Sequence, residues 1–436
     1  MPSVIVAGGG LAGLSTAAAL ASAGFRVDLF ESRRFLGGRA TSYELPGDDP
    51  SGSIDNCQHV LLRCCVNLLD FYGRLAVSAD IRFYREFVFL EPGGRASTLH
   101  AGPLPAPFHF TGSFASLKFL GLRDKLGIAR AMLAIRRERL TRTDLDRISM
   151  LEWLREKRQT ERSIRRYWGQ VLTSTINEDL DRIAARHGFQ VFWLGFLARN
   201  DSYEMGVPDV PLGELYNARA WERIGNVTLH LRSTLERLNM RDRRVCGVVV
   251  NGAEQTADFY VVALPFERLA PLGLDAPPLA HSPITGIHLW FDRCITSLPH
   301  ATLLDRTIQW MYNKGEGRYL QLVVSASRSL IDMPRSEVIA LAVRELAEFF
   351  PSVRDAALLK AHVVKEVRAT FSAGPGTELL RPQARTGIAN LFLAGDWTRT
   401  GWPATMEGAV RSGYIAAETV TAAAGQPARF LLPDIG

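Results

Sequence analysis

Val4-Ile5-Val6-Ala7 is an unbroken apolar run of β type, and Leu11–Ala23 after it is rich in alanine. The pair predicts a buried strand followed by a helix, with Gly24 suited to its end. Arg26–Phe30 returns to strand character and stops at Glu31, completing a β–turn–α–β unit of about 30 residues. Far downstream, Asn390–Ala394 is another short apolar strand. A loop of Gly, Trp, Thr and Pro comes next over Gly395–Ala404, then a helix from about Met406 to Ala424. Between these ends, Val245–Val250 reads as a strand, Asn251-Gly252 as a turn, and Tyr260–Leu264 as a buried strand stopped by Pro265. Three distant pieces of one kind predict a domain assembled from discontinuous segments.

The remaining stretches pattern differently. Phe114–Leu140 mixes apolar and basic residues at near-helical spacing. Met150–Arg158 and Ile164–Leu172 read as short amphipathic helices, and Phe189–Ala198 as a strongly aromatic one. Ile284–Phe291 and Tyr319–Ser325 read as strands, and Arg335–Phe350 as a helix stopped by Pro351. There is no internal repeat and no low-complexity tract. Val4–Phe25 lacks charge and is long enough to mimic a membrane span or a secretory signal. Its early glycines, and a preceding stretch of only Met1-Pro2-Ser3, favour a soluble strand–turn–helix instead. No other stretch is apolar enough to span a bilayer.

Composition narrows the class. The 436 residues suggest two or three domains, and 47% hydrophobic with 22% charged residues excludes disorder and collagen-like structure. The 51 Lys+Arg against 45 Asp+Glu leave +6. That charge permits attraction to phosphate or to an anionic membrane surface without demanding either. No nucleic-acid motif is present, so no such partner is expected. Cysteines 57, 64, 65, 246 and 294 are odd in number and form no Cys-x-x-Cys. Neither a disulfide framework nor a metal cage is indicated, and a reduced, cytoplasmic compartment is expected.

Gly8-Gly9-Gly10-Leu11-Ala12-Gly13 is a G-x-G-x-x-G run between strand and helix. Gly8 serves the tight turn, Gly10 the approach of backbone to a pyrophosphate, and Gly13 the close packing of helix on sheet. A phosphate then meets the free N–H groups of the helix start. Glu31, at the end of the second strand, is placed to accept bonds from ribose hydroxyls. NAD and FAD share this fingerprint. Gly37-Gly38-Arg39, six residues past Glu31 at its start, adds backbone amides and a fixed cation against a diphosphate.

That run resembles the signature of the amine oxidase and carotenoid desaturase superfamily of flavoproteins, as does the C-terminal stretch Leu391–Asp396 with Met406–Gly413. The resemblance implies FAD as cofactor. It implies an α/β fold with a discontinuous Rossmann-like, glutathione-reductase-like FAD-binding domain (1–75, 226–270 and 386–425). A second, α+β domain (76–225 and 271–385) would contact substrate and membrane. It sets Asp396 at the ribityl–phosphate region and aims the N-terminus of the Met406 helix at the flavin ring. A helix N-terminus there stabilises negative charge on reduced flavin. Gly8, Gly10, Leu11, Ala12, Gly13, Glu31, Ser32, Gly37, Gly38, Arg39 and Ala40 form the first part of the implied site. Gly395, Asp396, Ala404, Thr405, Met406 and Ala409 form the second. Val245–Val248 and Ala257–Pro265 resemble the third FAD-domain segment. Leu235, ahead of that hairpin, falls where backbone contacts adenine, or else packs as a core leucine.

A finer resemblance is to the hydroxysqualene dehydroxylases, also called squalene-associated FAD-dependent desaturases. It is carried by Ile54–Val60, Leu104–His109, Gln309-Trp310 and Asp396–Glu407. The branch usually has glycine where this chain has Cys57. The resemblance implies reduction of hydroxysqualene to squalene with loss of water, at the cytoplasmic face of the membrane, with an electron donor that the sequence leaves open. His59 is a candidate proton donor, with bound water as its rival and a structural histidine as the plain alternative. Gln309 and Trp310 either face the flavin or belong to the core. Phe189, Phe192, Trp193 and Phe196 repeat at helical spacing, as core or as the wall of an apolar tunnel. Phe114–Leu140 is a membrane contact or a solvated helix face. A carotenoid desaturase, an amine oxidase and a prenyl-chain carrier without redox chemistry are the competing functions.

Overall fold

The structure, a computed structural model, describes residues 1–45 and 53–436. At its centre lies a five-stranded sheet in the order Val227–His230, Arg26–Phe30, Ser3–Ala7, Phe259–Val262, Leu391–Leu393. Every pairing is parallel, with Val6 opposite both Leu29 and Val261, and Tyr260 opposite Leu391. Parallel strands are covered on both faces, which is why the inner runs are continuously apolar rather than alternating. Helix Leu11–Ser22 is buried along nearly its whole length. It lies against helix Met406–Ala423, and the two are pinned by Ser15 Oγ donating to Val410 O (3.4 Å) and Thr16 Oγ1 to Gly413 O (3.2 Å).

The predicted strands and helices of this layer are present within one or two residues. Strand Val227–His230 is an addition to them, hidden in the sequence because Thr228 and His230 break its apolar run. Helices Leu212–Leu215 and Ala218–Ile224, with Tyr216 between them, bury Leu212, Tyr216 and Trp221 in the same cluster as Val4 and Leu14.

A second sheet has seven strands, ordered Leu358–Phe371, His281–Phe291, Tyr319–Ser325, Trp310–Gly315, His300–Leu303, Glu86–Leu90, Ala96–His100. It is antiparallel except where His300–Leu303 runs beside Glu86–Leu90. Alternation sorts its side chains. Leu320, Leu322 and Val324 pack under helix Arg335–Phe349, while Val323, Tyr312 and Phe89 face the other way. On that second side stands a helical layer over 111–198. The predicted stretch Phe114–Leu140 is two helices, Thr111–Ser116 and Leu122–Glu138, parted at Gly121. Asp124 accepts the Gly121 N–H (2.8 Å), which starts the second helix. A π-helical turn at Ile164–Gly169 interrupts one helix of this layer, and another at Trp193–Leu197 ends the helix Ala185–Phe192.

Three histidines are locked inside this framework. His187, His288 and His300 each keep one ring nitrogen without a partner among the described residues. Burial pushes their pKa values down to about 3, 3 and 4. An unfolded histidine titrates near 6.5. Below that pH the unfolded chain binds protons that the folded chain refuses, so stability falls as pH falls from about 6.5 toward 4. Each histidine contributes roughly 1.4 kcal/mol per pH unit inside that window. The urea midpoint should therefore drop steeply from pH 7 to pH 5, and less steeply in His300→Gln; parallel curves would remove His300 from this account.

Candidate active site

The opening turn is shaped by steric necessity. Gly8 sits at φ +112°, and a Cβ on Gly13 would fall 1.9 Å from the Gly8 carbonyl oxygen. The helix therefore starts as close to the strand as backbone allows. Glu31 then ties the loop from below. Its Oε2 accepts the Gly9 N–H (2.7 Å), and its Oε1 accepts from the Arg33 N–H (2.8 Å) and the Ser32 hydroxyl (3.2 Å). A carboxylate offers about four lone-pair sites, so it can brace the loop and still meet a ribose. The Gly37 N–H donates to Gly9 O (2.8 Å), joining the two glycine runs into one surface.

The chain's far end supplies the opposite wall. Arg39 Nη2 donates to Asp396 Oδ1 at 2.5 Å across 357 residues of sequence. The carboxylate is buried and the guanidinium partly open, so the pair acts as a clamp more than as a source of stability. Arg381, absent from the sequence expectations, organises the loop after Asp396. Its fully buried guanidinium donates to the carbonyls of Asp396 (2.9 Å), Trp402 (2.8 Å) and Thr398, and to Thr400 Oγ1 (2.9 Å). Thr405 caps the closing helix by accepting the Gly408 N–H (3.1 Å). Glu407 turns the other way and accepts the Leu68 N–H (2.7 Å) and Asn67 Nδ2 (2.8 Å), capping helix Val66–Arg74. Burial pushes its carboxyl above the usual range.

These walls enclose a cavity of about 830 Å³. Of the residues expected to hold FAD, all line it except Gly13, which works from behind by bringing helix to strand. Leu235 lines it beside Ser233 and Thr234. Glu366 lines it too, accepting the Tyr43 hydroxyl (2.8 Å) and Asn56 Nδ2 (3.4 Å). It comes from the strand Leu358–Phe371, which the sequence expectations lack although Val363-Val364 and Val367 signal it.

The other end of the cavity is an uncharged chamber walled by Phe87, Phe89, Leu99, Val171, Phe196 and Trp310. Trp310 donates to Ser174 Oγ (2.8 Å) and stacks on Tyr312 at 5.6 Å. Gln309 does not line the cavity; both ends of its amide are bonded to the Ser325 backbone (2.9 and 3.2 Å). Of the aromatic repeat, only Phe196 reaches the wall. Phe189 and Phe192 pack on Trp153 and Trp168, and Trp193 carries Arg139 over its ring at 3.7 Å.

His59 lines the cavity with Nδ1 3.0 Å from Cys57 O. Burial holds its pKa below the ordinary value, against the opposing pull of the Cys57 carbonyl, Asp55, Glu366 and the Arg39 carbonyl. Cys57 needs no glycine geometry, since it is not among the residues with positive φ. Burial pushes its thiol up to about 12.

Backbone N–H groups at two glycine turns and a helix N-terminus suit a diphosphate, and Glu31 suits a ribose, so the donor set fits FAD. Replacing Glu31 with Ala removes a carboxylate suited to a ribose and frees the Gly9 N–H together. FAD affinity should fall by on the order of 1.5–3 kcal/mol, as for charged hydrogen bonds. Fluorescence titration of the flavin-stripped protein measures this, and an unchanged dissociation constant would exclude Glu31 from the cradle.

The family described as flavin containing amine oxidoreductase matches residues 11–421. Zeta-carotene desaturase of Synechocystis sp. is 26% identical over 96% of this chain and 97% of its own length. The 15-cis-phytoene desaturase of Solanum lycopersicum is 27% identical over 96% of this chain and 77% of its own. Among solved structures, an oxidoreductase from Methanosarcina mazei superposes with TM-score 0.72 at 18% identity, covering 94% of this chain and 98% of that one. Cyclohexylamine oxidase from Brevibacterium oxydans does so with TM-score 0.68 at 15% identity, covering 97% and 99%. At these identities the solved structures speak to the fold alone. No helix among the described residues is long and apolar enough to cross a membrane. The cradle and the family match together make the protein an FAD-dependent oxidoreductase, and the chain belongs to the flavin containing amine oxidoreductase family.

Proposed function

We propose that this chain is a hydroxysqualene dehydroxylase that reduces hydroxysqualene to squalene with loss of water. The observation that carries the reading is one continuous cavity with a flavin cradle at one end and an uncharged aromatic chamber at the other. Such a chamber accepts a long hydrocarbon and offers no carboxylate to a soluble amine. The Asp55–His59 and Asp396–Glu407 runs, which look like the dehydroxylase branch, both stand on its wall or beside it. In this reading segments 1–75, 226–270 and 386–425 hold the cofactor, and 76–225 with 271–385 hold the substrate.

Reduced FAD supplies a hydride. The chain's own residues orient the substrate, exclude water and deliver a proton to the departing hydroxyl. The carbon–oxygen bond breaks, a carbon–hydrogen bond forms and water leaves; a separate reductant returns the two electrons. Aromatic faces such as Trp310 and Phe196 stabilise positive character at the allylic carbon in a dry site. His59 is the proposed proton donor. Because burial keeps it mostly neutral at pH 7, its acid form grows as pH falls, so the reaction should speed up toward acid pH.

A second reading is favoured by the relatives: carotenoid desaturation, with hydride passing from substrate to oxidised flavin. Anaerobic single-turnover mixing separates the two. Pre-reduced enzyme with hydroxysqualene should regain the oxidised flavin spectrum and yield squalene. Bleaching of oxidised enzyme by phytoene, with no reaction of the alcohol, would establish desaturation instead. His59→Ala should slow the reoxidation by roughly 10²–10⁴-fold and flatten its pH dependence. An unchanged rate would leave water as the acid.

The reading also places the protein on the inner face of the cytoplasmic membrane. Helix Leu122–Glu138 and the residues after it expose Leu122, Leu126, Leu133 and Leu140, with Arg123, Arg130, Arg136 and Arg137 exposed among them. Its acids are turned to internal partners, Asp124 to Arg162 and Glu138 to Trp153 and Lys157. The outward charge is thus wholly positive, which suits an anionic surface. Anionic vesicles should sediment the protein better than neutral ones and less well in high salt. Leu126→Glu/Leu133→Glu should weaken sedimentation, and retention of full binding would move the contact elsewhere.

A further inference from the structure

Two residues on the cavity wall carry a buried polar atom that lacks a hydrogen-bond partner among the described residues: Asn56, through Oδ1, and Thr302, through Oγ1. Asn56 stands at the flavin end, where its Nδ2 donates to Arg39 O (2.8 Å). Thr302 stands in the hydrocarbon chamber. It is opposite Phe89 on one neighbouring strand and Trp310 on the other, and Trp310 is opposite Val323. Residues opposite one another across strands project to the same face. Phe89, Trp310 and Val323 all line the cavity, so Thr302 belongs to the same row, and its fully buried side chain stands at the same wall.

In that row a hydroxyl has no packing purpose. Valine has nearly the same shape and the same preference for strands. A buried hydroxyl without a partner is a cost that valine would avoid. Trp310, the other polar group of the row, has its N–H satisfied by Ser174. The unspent hydrogen bond therefore belongs to Thr302.

We propose that Thr302 is a specificity-determining residue whose hydroxyl pairs with an oxygen carried by an otherwise hydrocarbon substrate. The chamber thereby selects a long-chain isoprenoid alcohol over the hydrocarbon of the same skeleton. The inference rests on the reading that this chamber holds the substrate chain. A site built around a hydrogen bond to a substrate hydroxyl discriminates against the analogue that lacks it, because the protein's own polar group is then left unpaired.

Equilibrium binding to the FAD-loaded, oxidised enzyme tests this without turnover. Hydroxysqualene and squalene are titrated from the same detergent micelles and followed through the flavin absorbance. Wild-type protein should prefer the alcohol by about three- to tenfold, the usual range for one net hydrogen bond. Thr302→Val should bring the ratio close to one with squalene binding retained, and Thr302→Ser should keep the preference. A wild-type ratio near one, a preference that survives in Thr302→Val, or its loss in both variants alike would overturn the proposal. Thr302-dependent preference for an alcohol that is never converted supports this inference and sinks the dehydroxylase reading. Conversion with a preference indifferent to Thr302 does the reverse.

Discussion

Everything in this fold depends on the contact between helix Leu11–Ser22 and helix Met406–Ala423. The two lie so close that hydroxyls of one reach backbone carbonyls of the other. Small residues along the first helix make that approach possible. Because the contact is made between the chain's ends, the intervening segments must leave the central sheet and return to it. Strands Val227–His230 and Phe259–Val262 are the return visits. Arg39 and Asp396 meet only because both ends are held in this way, and the cavity is the space left between them.

The cavity divides by polarity, and that division has an electrostatic consequence. Glu31, Arg39, Glu366 and Asp396 all stand at the cradle end. The lining residues drawn from Phe87–Leu99, Gln170–Phe196 and Thr302–Val323 carry no charge. Interactions strengthen in such a low-dielectric space, and an unpaired charge would be expensive there. The same burial that makes the chamber hospitable to hydrocarbon keeps His59 mostly uncharged. Under the proposed function, acid–base chemistry and hydrocarbon binding therefore compete at this residue.

Much of the cradle is legible in the sequence because its requirements are local. A glycine turn, a carboxylate at the next strand end and a capped helix leave their marks within a few residues. Arg381 leaves no such mark: it is one arginine among many, and its value lies in four partners on the loop Asp396–Trp402. Strand Leu358–Phe371 is obscured because Lys365, Glu366 and Arg368 interrupt its apolar residues. That pattern belongs to a strand with one open face. Gln309 and Trp310 illustrate a different limit. Neighbouring side chains at a strand end point to opposite sides, so the two were never able to share a role at the flavin. Only the register with Val323 and Ser325 shows which one faces the cavity.

The π-helical turn at Trp193–Leu197 has a bearing on how this chamber can change. Such a turn, which here closes the helix Ala185–Phe192, holds one residue more than an α-turn. Phe192, just before it, packs in the core, and Phe196, within it, lines the cavity. Loss of a single residue here would restore ordinary winding and leave Phe196 on nearly the same side of the helix axis, because the wider turn is what absorbs the additional residue. A change of one residue in length is taken up at this point by the width of the turn, so that Leu194 and Phe196 keep their places on the wall. The chamber's wall is therefore buffered against a one-residue change in the length of this segment, a property that a comparison of residue identities alone does not register.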